Sequence, residues 1–451
     1  MIATKSSRAN LLISGIFLFM TVILSLAFVP DFLDQAAYRF LIGAVALLIS
    51  CGICIRTAVR FIGNRANTFD MGLLGYAVFG FLDIFKFEVL EEGTRPLSPD
   101  TELIVVMLLT LSLVAYVLIY RFAKIKESAD KIEHLHPQFA VRFFSILVPL
   151  VLILTSLFLY FKELQTNAYF ALIGYFLKAF VLLSFFIYCK SKRKVYLLIS
   201  LATFALVMTD SSRRAFIVVL LPAIILFIDT VYSRLKKLTP KKKIIAASML
   251  IVLFIFLNWM RGEHNYGEGY IEGDRLANTL QYIKTLKSLD TFYNTGFIVE
   301  NFPGEFHYYY GETYASVLVG LVPRSIWPSK PVSLGAPLGL MQVTGSQEFN
   351  PETWGRINRY SLSPGFIGEA YANFGVLGVI MLSLLLGWAA KFIDHKIFHD
   401  RSQGFDLRQL IYLPIMITFL LMGRGDFYSA AIYTFFMTIF LKVMTNFLRA
   451  V

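Results

Sequence analysis

The sequence predicts an all-α polytopic membrane protein, with about twelve transmembrane helices and one large loop on the outer side of the membrane. Three observations predict it. Hydrophobic residues make up 57% of the chain and charged residues only 16%, against about 25% charged in soluble domains. Apolar runs of membrane-crossing length recur from end to end. The Lys and Arg residues separate onto alternate connections between those runs.

The first run, 11–29, exceeds a signal-peptide core of about 7 to 15 residues and lacks a small-residue cleavage site after it, so it reads as an uncleaved first helix. Further runs cover 40–55, 71–90, 103–120, 143–161, 170–189, 195–208, 216–232, 244–260, 366–390, 410–422 and 429–443. With the N-terminus inside, 26 Lys and Arg fall on the inner connections and tails. The short outer loops hold six, namely Arg39, Arg95, Lys162, Arg213, Arg214 and Arg424. Cations are retained on the cytoplasmic side, which puts both termini inside. The net charge of +12 is then a matter of topology rather than of nucleic acid. The chain divides into an N-terminal bundle of about nine helices (1–260), the loop (261–364) and about three C-terminal helices (365–451), all within a single integrated domain. Cys51-x-x-Cys54 lies inside an apolar run, where thiols lack the exposure that reactivity needs, so no disulfide framework is expected.

Function is expected in the 104 residues of 261–364 and at their junctions with the helices, because this is the one long hydrophilic stretch. Its ten acidic and eight basic residues exclude a polybasic arm for anionic lipid headgroups. Leu276, Leu280, Ile283, Leu286 and Leu289 recur at helical spacing, as in an amphipathic helix lying on the membrane or against the bundle. The apolar piece 315–322 is too short to span, and Pro323, Pro328, Pro331 and Pro337 predict irregular chain beyond it.

Arginines converge on the outer boundary. Arg213 and Arg214 precede the helix at 216, Arg261 follows the run ending at 260, Arg324 lies beyond the short apolar piece, and Arg424 sits in Gly423-Arg424-Gly425-Asp426. A guanidinium stays charged and bonds phosphate oxygens in pairs, so arginines at interface depth suit a lipid-linked phosphate or pyrophosphate. Snorkelling, or pairing with Asp210, Glu263 or Asp426, explains each of them singly. Behind Asp210-Ser211-Ser212, the helix N-terminus near Arg213 would add backbone donors to the same anion site, unless the serines simply cap it.

No Gly-x-x-x-x-Gly-Lys-Ser/Thr loop is present, which argues against nucleotide-driven work. His264 and His307 lack metal-ligand spacing, and Glu272-Gly273-Asp274 is a lone acidic triplet, so no metal and no cofactor is predicted. A group transfer needs a base. The candidates are Glu369, at the outer start of the helix near 366, then His264, Glu312, Glu305 and Asp426. Glu369 comes first because a carboxylate partly buried at a helix mouth has the proton affinity that a base near neutral pH requires. An ion pair with one of the arginines is the structural alternative. Tyr266, Tyr270, Tyr308, Tyr309, Tyr310, Trp327, Trp354 and Tyr360 offer flat faces to sugar rings, as they would to a membrane interface. Asp83 and Lys86, three apart in one run, are expected to satisfy one another, whereas Lys178 has no acidic neighbour in its run.

The segments LVPRSIWPSKP (321–331) and SPGFIGEAYANFGVLG (363–378), with TDSSRRAF (209–216) upstream and GRGDF (423–427) downstream, carry a family likeness. In their order and in the plan of helices and loop, they resemble the oligosaccharide repeat-unit polymerases, the Wzy-type O-antigen polymerases. The resemblance implies a multi-pass glycosyltransferase of the bacterial inner membrane, its large loop periplasmic. Such an enzyme moves the growing glycan from undecaprenyl pyrophosphate to the next undecaprenyl-pyrophosphate-linked unit, with inversion and without metal, cofactor or nucleotide sugar. On this chain, Arg213 or Arg214, Arg324 and Arg424 would hold pyrophosphate, with Arg261 as a further cation, and Glu369 would stand at the acceptor, with His264 or Asp426 in its place. Tyr309, Trp327 and Tyr360 are the glycan-binding candidates. The implied partners are the lipid-linked oligosaccharide, membrane lipid, and a chain-length regulator and flippase of the same pathway, with no nucleic acid.

Two alternatives stay open. An O-antigen ligase would attach glycan to a lipid A core, although 261–364 holds no convincing ligase histidine pattern. A lipid flippase or other transporter also needs many helices and buried charges. Transporters place their site at broken helices in related halves, whereas here the polar weight lies in one outer loop and no internal repeat is found.

Overall fold

In lipid, a spanning segment must satisfy its own backbone polar groups, and a run of apolar residues does so as a helix. A computed structural model of the chain describes residues 35–62, 67–86, 97–125, 142–163, 167–207, 218–227, 290–320, 322, 326–356, 362–398 and 407–449. Every regular element among the described residues is helical. In chain order these are α1 (Gln35–Ile62), α2 (Thr68–Phe85), α3 (Pro99–Phe122), α4 (Val148–Glu163), α5 (Asn167–Ser191), α6 (Lys194–Val207) and α7 (Val218–Phe227). Then come α8 (Thr291–Asn301), α9 (Glu312–Val319), α10 (Gly335–Thr344), α11 (Pro351–Arg356), α12 (Gly365–Phe398), α13 (Leu407–Met422) and α14 (Phe427–Arg449).

Six of these, α1, α2, α3, α5, α12 and α14, are long and apolar enough to cross a membrane, and α4, α6, α7 and α13 are shorter apolar helices. The expected runs at 11–29 and 244–260 and the amphipathic helix at 276–289 lie outside the described residues; the described parts of the other expected runs are helical. Local sequence explains several starts. Ser98 accepts the Thr101 N–H at 3.2 Å and Pro99 takes the first helical position of α3. Asn67 and Asp70 close a capping box on α2, which then loosens into a π turn at Ala77–Phe81.

The bundle is held where small residues let backbones meet. α12 packs along α3, and a Cβ added to Gly387 would stand 2.4 Å from the Tyr116 carbonyl oxygen. One added to Gly423 would stand 2.9 Å from that of Gly75. Inside this interface the hydroxyls of Tyr76, Ser112 and Ser383 bond in a chain at 2.7 and 2.6 Å, the kind of polar link that joins helices in lipid.

Among the described residues, two groups of charged side chains lie at opposite ends of α1 and α2. At one, Asp394 near the end of α12 accepts the Thr68 and Phe69 N–H groups at 2.6 and 3.2 Å and the Tyr120 hydroxyl at 2.8 Å. Beside it Asp70 pairs with Arg56 at 2.8 Å and Arg60 at 2.6 Å. At the other pole Arg39 pairs with Glu102 at 2.9 Å. Here Asp83 and Lys86 act on one another electrostatically, as expected, and both side chains also reach for α8. Asp83 accepts the Phe292 N–H at 2.7 Å, and Lys86 bonds Asp290 at 3.0 Å. The free amides and partial positive charge of a helix start favour the carboxylate there. Glu300, at the far end of α8, accepts the Ser98 N–H at 2.9 Å, so the helix is tied down at both ends.

The expectation of irregular chain beyond 322 holds over the described residues 326–334 and is corrected from 335 onward. α10 forms around Pro337, which falls in its first turn, where a missing N–H breaks no helical bond. α10 joins α8 in a second apolar cluster through Leu334, Leu338, Met341, Ile298 and Phe302.

One long helix is broken. At Phe374 (φ −144°, ψ 17°) and Gly375 (φ 63°, ψ −151°) α12 leaves helical geometry. A Cβ on Gly378 would lie 2.4 Å from the Ala370 carbonyl oxygen, whereas residues eight apart in a continuous helix are separated by roughly 12 Å of rise. The arm 365–373 therefore folds back sharply on 376–398. The break frees carbonyls 372 and 373, and the segment crossing it satisfies them, with Tyr309 N–H donating at 3.0 Å and Tyr310 N–H at 3.2 Å.

Candidate functional site

The short arm of α12 carries Glu369 into a buried corner. Gly365 opens the arm at φ 63°, and its N–H donates to the Arg424 carbonyl at 3.2 Å. Only glycine fits there, because a Cβ would meet Thr291 at 2.4 Å and the Gly423 carbonyl oxygen at 2.9 Å. One turn on, the wholly buried Glu369 accepts the Phe427 N–H with Oε2. Phe427 is the first residue of α14, so the carboxylate caps that helix from another element. Its second oxygen, Oε1, is buried, takes no backbone hydrogen bond among the described residues, and has only the Thr313 hydroxyl as a side-chain donor beside it.

Three groups surround the carboxylate. Asp426, also buried, is close enough that the two negative charges oppose one another. From α9, Thr313 lies beside Glu369, and its hydroxyl accepts from Asn373 Nδ2 at 2.8 Å. The ring of Tyr314 stands edge-on to Phe427, with centroids 5.3 Å apart, and its buried hydroxyl oxygen has no partner among the described residues. Burial, and then the nearby Glu369, push the Tyr314 phenol well above the usual tyrosine range.

Of the sequence candidates, the structure brings Glu369, Asp426 and Arg424 together. The turn from α13 to α14 supplies the last two, and its N–H groups at 424 and 425 return to the Leu421 carbonyl at 3.1 and 3.0 Å. The Phe427 amide takes one oxygen of Glu369, and of the outer-boundary arginines that could pair with this carboxylate only Arg424 lies among the described residues. Arg213, Arg214, Arg261, Arg324, His264 and Tyr360 lie outside the described residues.

Tyr309 packs on Phe302 within the second apolar cluster, with centroids 6.2 Å apart, and burial pushes its phenol upward. Tyr310 is the open member of the tyrosine triplet at 74% exposure, and Trp327 is exposed. Glu312 starts α9 and Glu305 is exposed. His307 exchanges backbone bonds with the Gln347 side chain at 2.9 and 2.6 Å. Lys178, buried in α5, lies over the rings of Tyr175 and Tyr433 at 5.3 and 5.1 Å. Among the described residues no three His, Cys, Asp or Glu gather as a metal site.

Sequence reasoning missed Thr313, Tyr314 and Asn373. The signal for Asn373 was present, as a lone amide in an apolar helix two residues before a glycine.

By the length and composition of its helices the chain is a helical membrane protein. Compared with family models, curated proteins and solved structures, it matches none.

Proposed function

We propose that the chain polymerises undecaprenyl-pyrophosphate-linked oligosaccharide repeat units at the outer face of the bacterial inner membrane, both termini cytoplasmic. The observation that supports this reading best is the shared corner of Glu369 and the Arg424 turn, where a buried carboxylate with one oxygen clear of backbone bonds lies beside the backbone that carries a guanidinium. An acceptor hydroxyl oxygen attacks the anomeric carbon of the growing glycan and its proton passes to Glu369. The bond from that carbon to pyrophosphate breaks with inversion, and the leaving oxygen keeps the electron pair beside Arg424 and, on the family resemblance, Arg213 or Arg214 and Arg324. No nucleotide or metal enters this scheme. The polymer is O-antigen or a similar surface polysaccharide.

The test is chain length. Arg324→Ala and Arg424→Ala, at normal membrane level, should each reduce polymer in cells to one or a few repeats on a gel. Long ladders from both variants would sink the arginine scheme.

A second reading, a lipid flippase or other transporter, gains from the break in α12, since discontinuous helices line transport sites. Purified protein in vesicles with lipid-linked repeat units separates the two: ladders support the polymerase, and lipid movement without ladders supports transport. A ligase would need a lipid A core acceptor before any product formed.

A further inference from the structure

Two buried oxygens in the Glu369 corner are short of hydrogen-bond partners among the described residues: the Tyr314 hydroxyl has none, and Glu369 Oε1, which can accept more than one donor, has only the Thr313 hydroxyl beside it. Leaving a buried polar atom unbonded costs about 1–3 kcal/mol, so two short of partners in one corner call for a bound group. Both side chains converge on Phe427. The Glu369 carboxylate holds its N–H, and the Tyr314 ring packs on its ring. Glu369 is also near enough to act electrostatically on the Tyr314 phenol.

The two oxygens differ in chemistry. A carboxylate accepts hydrogen bonds, while a phenol in its neutral form donates one. A single group that donates to the first and accepts from the second carries an O–H, as water or a sugar hydroxyl does.

We propose that Glu369 Oε1 and the Tyr314 hydroxyl together bind one hydroxyl group of a sugar ring, which makes Tyr314 an acceptor-binding residue. This rests on the polymerase reading for the identity of the sugar. Both oxygens are closed off from solvent in this structure, so the hydroxyl enters by a shift of α9. That helix is one short element, held to α12 by the Asn373 bonds to Thr313 Oγ1 at 2.8 Å and from Gly311 N–H at 2.9 Å.

Tyr314→Phe removes the hydroxyl and keeps the ring on Phe427. The full chain in lipid nanodiscs, wild type and variant, is given purified undecaprenyl-pyrophosphate-linked repeat units, and both polymer formation and equilibrium binding are followed. The expected result is a KM for the repeat unit raised roughly 5- to 10-fold with kcat within about 2-fold, the worth of one neutral hydrogen bond. A merely structural tyrosine would instead lower thermal stability and leave KM alone. If wild type polymerises and Tyr314→Phe shows the same KM, the hydroxyl site is wrong and the polymerase reading survives. If wild type binds the unit without polymerising it and the variant binds 5- to 10-fold more weakly, the hydroxyl site stands and the polymerase reading falls. Equal binding by both proteins, or none by wild type, overturns the hydroxyl site.

Discussion

Asn373 holds Thr313 across the break in α12: its Nδ2 donates to the Thr313 hydroxyl and to the Glu369 carbonyl, both at 2.8 Å, while its Oδ1 accepts the Gly311 N–H at 2.9 Å. One buried amide thus joins the last turn of the short arm to the start of α9 and fixes both walls of the Glu369 corner.

Replacing that amide with Ala leaves the Gly311 N–H and the Thr313 hydroxyl without this partner in a buried site. Asn373→Ala should therefore destabilise the protein by about 2–4 kcal/mol, since each unsatisfied buried group costs about 1–3. Thermal unfolding of detergent-purified protein measures this. An unchanged midpoint would show that α9 is held by something other than this amide.

The glycines make a graded set. At Gly375 (φ 63°) an added Cβ is strained by the backbone and meets the Tyr308 hydroxyl at 3.0 Å, so Gly375→Ala should cost about 1–3 kcal/mol. Gly387→Ala drives a Cβ to 2.4 Å from the Tyr116 carbonyl oxygen and must push α3 and α12 apart, which should lower the yield of folded protein further. Gly52→Ala meets nothing within 4 Å in a regular helix and should be neutral or stabilising by up to about 1 kcal/mol. Fluorescence-detected gel filtration after heating ranks all three, and a different order would contradict the packing.

Why the break itself escaped sequence reading is clear from its residues. Phe374-Gly375-Val376-Leu377-Gly378 is apolar throughout and falls inside a run long enough to span. Hydropathy registers only that a segment prefers lipid, and a positive φ at one glycine leaves no periodic trace. The helices were legible for the opposite reason, because composition alone forces them. Glu369 was legible as a lone carboxylate near a helix start, and Asp426 and Arg424 as charges in a tight Gly-rich turn. Thr313 and Tyr314 were not, because their role comes from a fold that brings α9 to α12, and nothing within 312–319 announces it. Asp83 and Lys86 were read as partners from their spacing and do act on one another, but spacing could not show that a helix start from more than two hundred residues away bonds each of them as well.

A similar long-range cap at the opposite pole gives a further prediction. Asp394 satisfies the first amides of α2 from the end of α12, and its two oxygens take Thr68 N–H, Phe69 N–H and the Tyr120 hydroxyl. Asp394→Ala removes the two oxygens that accept all three hydrogen bonds, in a site where Asp394 is 8% exposed, and should cost about 3–5 kcal/mol. Asp394→Asn keeps one acceptor oxygen and should recover about half of that loss. Equal loss from the two substitutions would mean that the negative charge, and not the hydrogen bonding, is what α2 requires.

The most direct functional prediction concerns Glu369, whose two oxygens do different things. Oε2 holds α14 by the Phe427 amide, and Oε1, beside the Thr313 hydroxyl, is on the polymerase reading the one that meets substrate. Glu369→Gln keeps the volume and one carbonyl oxygen, so the cap on α14 can survive while the proton acceptor is lost. Thermal stability should then stay within about 1 kcal/mol of wild type while polymerisation falls by about 100- to 10,000-fold, the usual worth of a general base. Glu369→Ala removes the cap as well and should lose both. If Glu369→Gln keeps its fold and still builds long polymer, Glu369 is a structural cap only, and the proton acceptor must be sought elsewhere, beginning with Asp426 and His264.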